Sequence, residues 1–293
     1  MDEIEGDAEL RTLDLFFDIW GVGPKGARDF YYKKGWRDLD DVVEFGWKGL
    51  TRVQQIGVKF YDELLRKIPR KEVERIGAVI LGAAQRVEPG AQMVIVGGYR
   101  RGKEESGDVD VVVSHPDEAQ THHLVTRIVQ ELERGGWITH TLLLSTPNSE
   151  REQMPVSWKG NEPHGVSPSG FDTLDKALVV WQDPEWEGKT DDPEARNPNV
   201  HRRVDIIVSP WKTVGCAVAG WTADMTFQRD MRRYARKVKG WKFDSSGVRS
   251  REDGSWVDLE GVGGKAPDMV TAEKRVFEGL GLEWREPWER CTG

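Results

Sequence analysis

A chain of 293 residues, 38% hydrophobic and 31% charged, can bury a core and is long enough for two or three modules. No stretch approaches the roughly 18 to 20 uninterrupted apolar residues of a membrane span. The start, Met1-Asp2-Glu3-Ile4-Glu5, lacks a basic region leading into an apolar one, so an intracellular protein without a secretion signal is expected. The net charge of −8 argues on its face against a nucleic-acid partner, but charge is unevenly spread. Acidic residues gather in the first fifteen positions and in 183–194, while Arg229, Arg232, Arg233, Arg236, Lys237 and Lys239 crowd one short segment.

From Leu10 to about Arg75 apolar positions recur at helical spacing, broken at Gly21-Val22-Gly23-Pro24, Lys34-Gly35 and Lys48-Gly49, which predicts a small helical module. A further helix spans about Val73 to Ala84. Met93-Val94-Ile95-Val96 is a short buried strand that meets a tight turn at Gly97-Gly98. Val109 to Val113 reads as a second strand and 121–134 as a helix with Leu124, Ile128, Val129 and Leu132 on one face. Trp137 to Leu144 reads as a third strand. Residues 145–172 are polar and rich in Pro, Gly and Ser, Ala177 to Trp181 resumes a strand, and 183–199 is again loop-like. Arg203 to Val208 is another strand, stopped by Pro210. The last module, 211–293, carries a basic helix at about 222–239, a turn-rich segment at 247–266 and a short helix at 271–280. Strands and helices intermix, so the class is α+β or α/β. Cys216 and Cys291 form no framework and are expected to be reduced thiols, and His122, His123 and His164 show no zinc spacing.

The chemistry concentrates in Gly97-Gly98-Tyr99-Arg100-Arg101-Gly102-Lys103 and Asp108-Val109-Asp110-Val111. Alternate residues of a strand share a face, so Asp108 and Asp110 point one way while Val109 and Val111 enter the core. Hard oxygen ligands suit magnesium, which keeps waters or phosphates in its remaining positions. Asp205, between Val204 and Ile206, has the same look on a separate strand. Three such carboxylates could hold two ions about 3.5–4 Å apart, one activating an attacking hydroxyl and one steadying a triphosphate. Glycines at 97 and 98 let backbone N–H groups approach phosphate oxygens, with Arg101 and Lys103 near for charge.

These residues carry a family resemblance. The GGYRRGK segment with Gly107-Asp108-Val109-Asp110, then His201-Arg202-Arg203-Val204-Asp205, then Gly220-Trp221-Thr222 with Phe227-Gln228-Arg229, closely resembles the family X DNA polymerases. The branch is that of polymerases mu and lambda and terminal deoxynucleotidyltransferase. The likeness runs from about Leu15 to Arg290, including Glu286-Pro287-Trp288-Glu289-Arg290. It implies an α+β fold: helical fingers with a helix-hairpin-helix (10–72), a nucleotidyltransferase-type palm sheet (73–210) and a mixed α/β thumb (211–293). A polymerase core or truncated form is expected, without the lyase or BRCT modules that relatives carry upstream. By the resemblance Asp108, Asp110 and Asp205 bind two Mg2+ or Mn2+ ions. Arg70, Gly97, Gly98 and Arg101 meet the triphosphate, Gly220, Trp221, Ala223 and Gln228 line the nucleotide pocket, and Arg203 and Arg232 meet template or primer. The hairpin Trp20 to Gly26 would bind DNA through Gly21, Gly23, Lys25 and Gly26. Backbone carbonyls of Phe17, Ile19 and Val22 would hold Na+ or K+ there, with N–H groups at a helix start meeting a phosphate.

The resemblance implies a nuclear, monomeric enzyme of DNA repair and non-homologous end joining, acting on gapped or broken-end DNA with dNTPs or rNTPs. End-joining proteins would be met through regions absent from this chain. Gly220-Trp221 matches the mu and terminal-transferase branch, where the lambda branch has two aromatic residues. A glycine there leaves space for a 2′-hydroxyl, so ribonucleotide use is expected. Residues 145–172 sit where that branch has a loop that braces or replaces a template strand. Gly107 stands where mu and terminal transferase carry a histidine that supports the primer end, which counts against template-free synthesis. Ala223 replaces a usual glycine. Three other readings compete: a template-independent terminal transferase, a nucleotidyltransferase acting on RNA or a small molecule, and a non-catalytic DNA-end scaffold.

Overall fold

The computed structural model describes residues 7–151, 173–190 and 195–291. The chain divides into two compact units, residues 1–67 and 68–293.

The first unit is helical. Helix α1 (Ala8–Phe17) starts at Asp7, whose carboxylate accepts the N–H groups of Glu9 and Leu10, satisfying donors that have no partner inside the helix. A hairpin follows with Gly21 in the left-handed region, φ +88°, where a side chain would be strained. Helix α2 (Pro24–Arg28) opens with proline at its first position, and a π turn, Asp29–Lys34, ends at left-handed Gly35. Helix α3 (Arg52–Lys59) opens on a capping box between Thr51 and Gln54. It also pins the hairpin: Gln54 Nε2 donates to the Gly21 carbonyl at 3.2 Å, and the Trp20 carbonyl packs where Gly57 has no Cβ. Phe16, Ile19, Val22, Ala27, Trp36, Val42 and Leu50 form the core of this unit.

The second unit is built on a five-stranded mixed sheet: β1 (Gln92–Ile95), β2 (Val109–Ser114), β3 (Ile138–Ser145), β4 (Asp175–Trp181) and β5 (Arg202–Val208), in the order β1-β2-β5-β4-β3. Strands β2 and β5 run parallel and the other neighbours antiparallel. Both faces of β2 and β5 are covered, which explains their near-continuous apolar sequence. Val109, Val111, Val113, Val204, Ile206 and Val208 pack on the helices α4 (Arg70–Val87) and α5 (Leu124–Arg134). Val112 and Ile207 point the other way, into a core with Trp211, Val214, Ala217, Val218, Met269 and Ala272. That second core belongs to residues beyond 210, so the sheet and the C-terminal segment share one compact unit.

Several boundaries differ from the expectations. Gly97–Arg100 is one helical turn, and the helix expected from 121 begins at Leu124 after a 3-10 turn, Glu118–Thr121. The basic helix expected over 222–239 is instead the end of one helix and the whole of another. Helix α6 (Val214–Thr222) stops at Thr222. Helix α7 (Met225–Tyr234) starts afresh because the Asp224 carboxylate accepts the Phe227 N–H, and it runs into a π turn, Ala235–Lys239. The turn-rich segment holds part of a three-stranded antiparallel sheet, β6 (Trp241–Asp244), β7 (Gly247–Ser250) and β8 (Trp256–Val257). Helix α8 (Met269–Leu280) covers the position expected for the last helix. Of the 145–172 segment, residues 152–172, with His164, lie outside the described residues.

Candidate active site

Strand pairing brings the acidic residues together. In the parallel ladder Asp110 stands opposite Asp205, on the same face as Val112 and Ile207 two residues further along each strand. The carboxylates therefore sit at the edge of the core shared with the C-terminal segment. Asp108 lies just ahead of β2, in a bend and not in the strand itself. Each of the three offers one carboxylate oxygen, and these oxygens lie within 4.8 Å of one another.

Crowding like charges in a desolvated place raises their pKa values. Burial, then the charges of Asp108 and Asp205, hold Asp110 well above the usual carboxylate range, with Arg203 and Arg101 opposing. Burial, then Asp108, push Asp205 up to about 7, against Arg203 and Lys176. Arg203 is two residues before Asp205 on the strand and pairs with Asp108 Oδ2 at 3.2 Å. Asp205 Oδ1 is buried without a hydrogen-bond partner among the described residues. A clustered all-oxygen donor set with one buried, orphaned oxygen, in which burial and neighbouring charge push two of the carboxyls up, fits a divalent cation.

The Gly97–Arg100 turn forms one wall. Gly97 has φ +60°, and a Cβ there would overlap Asp110 Oδ2, so this glycine is what lets the carboxylate lie against the turn. A Cβ at Gly98 would stand 3.9 Å from an Arg101 guanidinium nitrogen. Arg101 Nε is buried with no acceptor among the described residues. The first N–H groups of such a turn have no acceptor within it. An anion beside Gly98 would thus meet backbone donors and a guanidinium. Arg70 braces the turn from behind: its Nη1 donates to the carbonyls of Tyr99 at 2.7 Å and Lys103 at 2.9 Å, and its guanidinium stacks 4.0 Å over the Tyr99 ring.

The turn is also tied to the C-terminal helices. Arg101 Nη1 donates to the Thr222 carbonyl at 2.8 Å and Arg100 Nη1 to Thr222 Oγ1 at 2.6 Å. Arg100 holds Glu273 of α8 through two bonds, 2.9 and 2.7 Å, and Arg290 donates to the same carboxylate at 2.5 Å. Glu273 and Arg290 are both 0% exposed, so this Arg-Glu-Arg cluster is held out of water. Sequence reasoning misses Glu273 because nothing around it marks it. Arg290 is visible only as part of a terminal motif.

The expected nucleotide-pocket residues lie on α6 and α7. Gly220 and Ala223 are buried and Trp221 is half-buried against the core under the sheet. Gln228 donates from Nε2 to the Ala223 carbonyl at 2.9 Å and accepts from Arg232 at 2.6 Å. The expectation of open space at Gly220 needs correction. A Cβ there would stand 2.6 Å from Ser245 Oγ, so the side-chain direction is occupied by the β6–β7 turn. In the first unit, the Ile19 carbonyl of the hairpin accepts the Val22 N–H at 2.9 Å. A Cβ at Gly26 would meet Val22 Cγ1 at 3.1 Å, while Gly23 precedes the helix that carries Lys25. The Phe17 side chain is exposed.

Three family profiles match in order along the chain: the fingers domain of DNA polymerase lambda over residues 14–65, the DNA polymerase beta palm over 67–211 and the DNA polymerase beta thumb over 217–291. Among curated relatives, DNA polymerase lambda of Arabidopsis thaliana is 30% identical over 99% of this chain and 48% of its own length. DNA polymerase lambda of Rattus norvegicus is 33% identical over 95% of this chain and 42% of its own. DNA-directed DNA/RNA polymerase mu of Homo sapiens is 29% identical over 99% of this chain and 54% of its own. The chain spans about half the length of these relatives.

Proposed function

The chain belongs to the family X DNA polymerases, and from that premise we propose that it adds nucleotides to a DNA 3′ end, filling short gaps or extending ends at breaks. The observation that carries the reading is the meeting of Asp110 and Asp205 on paired strands with Asp108 just ahead of β2, beside the Gly97 turn.

Asp108, Asp110 and Asp205 would hold the divalent ions, Mg2+ or Mn2+, two to a site. Bound there, the ions supply positive charge for the phosphoryl oxygens and favour the deprotonated form of an attacking hydroxyl. The chain's own residues do the rest. Asp205 Oδ1, buried without a hydrogen-bond partner among the described residues, has lone pairs left for a cation, and Arg203 neutralises part of Asp108. The Gly97-Gly98 backbone and Arg101 receive the triphosphate, and the Thr222 contacts of Arg100 and Arg101 fix that turn against the helix bearing Gly220 and Trp221. The basic run from Arg229 to Lys239 takes the DNA backbone with Arg232, and the hairpin around Gly21 and Gly23 takes a second phosphate run with the help of Na+ or K+.

Ribonucleotides are used alongside deoxynucleotides, in accord with a relative named as a DNA/RNA polymerase. Templated synthesis is favoured over terminal transfer by Gly107, which supplies no side chain to steady an unpaired primer end.

The test is single-nucleotide extension on gapped, blunt and single-stranded DNA with dNTPs and rNTPs in parallel. Extension on gapped DNA with both sugars is expected. Extension of single strands alone would replace the reading with terminal transfer, and none on any DNA would overturn it.

A further inference from the structure

The turn Asp244–Gly247 between β6 and β7 presses on the helix that carries Gly220 and Trp221. A Cβ at position 220 would stand 2.6 Å from Ser245 Oγ, 3.1 Å from Ser245 Cβ and 3.3 Å from Ser245 Cα. The first distance is far inside the roughly 3.5–4.0 Å optimum for non-bonded heavy atoms, and the others are tight.

Three anchors keep the turn from giving way. Asp244, nearly buried, accepts the Ser246 N–H at 2.9 Å and an Arg249 N–H at 3.0 Å, and Arg249 is 2% exposed. Ser246 Oγ accepts the Thr173 N–H at 2.9 Å and stands 3.0 Å from Thr173 Oγ1, which ties the turn to the chain just ahead of β4. Gly247, at φ +126°, lies so close to Thr213 that a Cβ would come 3.1 Å from Thr213 Cγ2. The turn is thus braced against the start of α6 at Thr213, near its end at Gly220, and against the palm sheet.

We infer that Ser245 is a positioning residue for sugar choice: it fills the side-chain space of position 220 and so sets how far the backbone of Gly220 and Trp221 stands from the nucleotide. The inference rests on the reading of that backbone as the edge of the sugar pocket. Bulk added at 220 meets a turn anchored at three points. A methyl requires the Ser245 hydroxyl to turn aside and the end of α6 or the turn to give by a few tenths of an ångström, and a larger side chain displaces the end of α6. That end includes Thr222, the acceptor for Arg100 and Arg101, so the displacement also reaches the phosphate-binding turn. Reducing Ser245 to glycine removes Oγ and Cβ, the two nearest atoms, and leaves the backbone of the turn 3.3 Å away. Residues 220 and 245 are therefore coupled in sugar choice, and a methyl at 220 is accommodated better when 245 is glycine.

The experiment is single-nucleotide insertion into a one-nucleotide gap, with dNTP and rNTP, for the native protein, Gly220→Ala, Ser245→Gly and the double variant, with thermal unfolding of each. Gly220→Ala should lower insertion and raise the deoxy-to-ribo ratio about tenfold, and Ser245→Gly in that background should return the ratio to within about threefold of native. Ser245→Thr, which crowds the same space while residue 220 stays glycine, should raise the ratio too, and it serves if Gly220→Ala does not fold. A shift in the ratio separates this role from general destabilisation, which lowers both insertions alike. A Gly220→Ala effect of the same size whichever residue stands at 245, or an unchanged ratio in Ser245→Thr, overturns the inference while leaving the polymerase reading intact. A native protein that inserts neither nucleotide overturns both.

Discussion

In the palm sheet the acidic residues come from strands paired in register, Asp110 opposite Asp205, with one apolar neighbour on either side of each in sequence. In the thumb the decisive contacts join segments far apart: Gly220 with Ser245, Arg100 with Glu273, and Gly215 with Glu260. The first arrangement is written in a local pattern, because a strand alternates faces every residue and a glycine pair marks the turn before it. The second depends on which surfaces meet after folding. Local patterning therefore fixes the carboxylates, while long-range packing fixes the groups that border them.

The contrast is sharpest for activity in Asp205→Asn. Insertion should fall at least a thousandfold, about 4 kcal/mol, because a charged ligand is lost where transition-state charge is offset. The metal-free variant should also be more heat-stable than the native protein, since a buried charge repelled by Asp108 disappears. Near-native insertion would remove the triad from the chemistry.

On the thumb side, Glu273→Ala leaves Arg100 and Arg290 without their shared carboxylate, one of them fully buried. Breaking such a cluster typically costs about 3–5 kcal/mol, to be read as a shift in urea midpoint. A loss below about 1 kcal/mol would mean that the cluster is not a structural tie.

Legibility follows the same division. The valine-rich strands, Asp110 and Asp205 on one face, and the glycines at 97 and 98 are readable, because periodicity and residue type suffice. The break at Thr222 is not: Asp224 begins a new helix, yet the basic run hides it behind continuous helical character. The three-stranded sheet at 241–257 escapes a reading by pattern because its strands are two to four residues long, too short for alternation to register. Gly220 reads as open space on residue type alone, and only the position of Ser245 shows what fills that direction.

Two smaller effects probe the comparison further. Gly97→Ala places a methyl where Asp110 Oδ2 lies, in a left-handed backbone. Insertion should drop roughly a hundredfold, about 2.7 kcal/mol, with little change in DNA affinity. Equal losses in both would point to unfolding of the turn instead.

Glu260 offers a titration outside the triad. It is buried beneath the start of α6, accepts the N–H groups of Gly215 and Cys216, and burial pushes its pKa from 4.5 up to about 8. Its folded pKa lies above its unfolded value, so its contribution is fully present below about 4.5 and is lost as pH rises to about 8. Glu260→Gln should flatten the fall in stability across that window by a few kcal/mol. An unchanged pH profile would show that the carboxyl is solvated.

The central claim, that Asp108, Asp110 and Asp205 form one divalent-cation site, can be tested without DNA or nucleotide by thermal unfolding with Mn2+ and with EDTA. At about ten times its dissociation constant a bound ion contributes about 1.4 kcal/mol. For a unit of this size that raises the midpoint by roughly 3–6 °C. The native protein should show this rise, and Asp205→Asn should show little or none. An equal rise in both, or no rise in the native protein up to tens of millimolar Mn2+, would contradict the assignment.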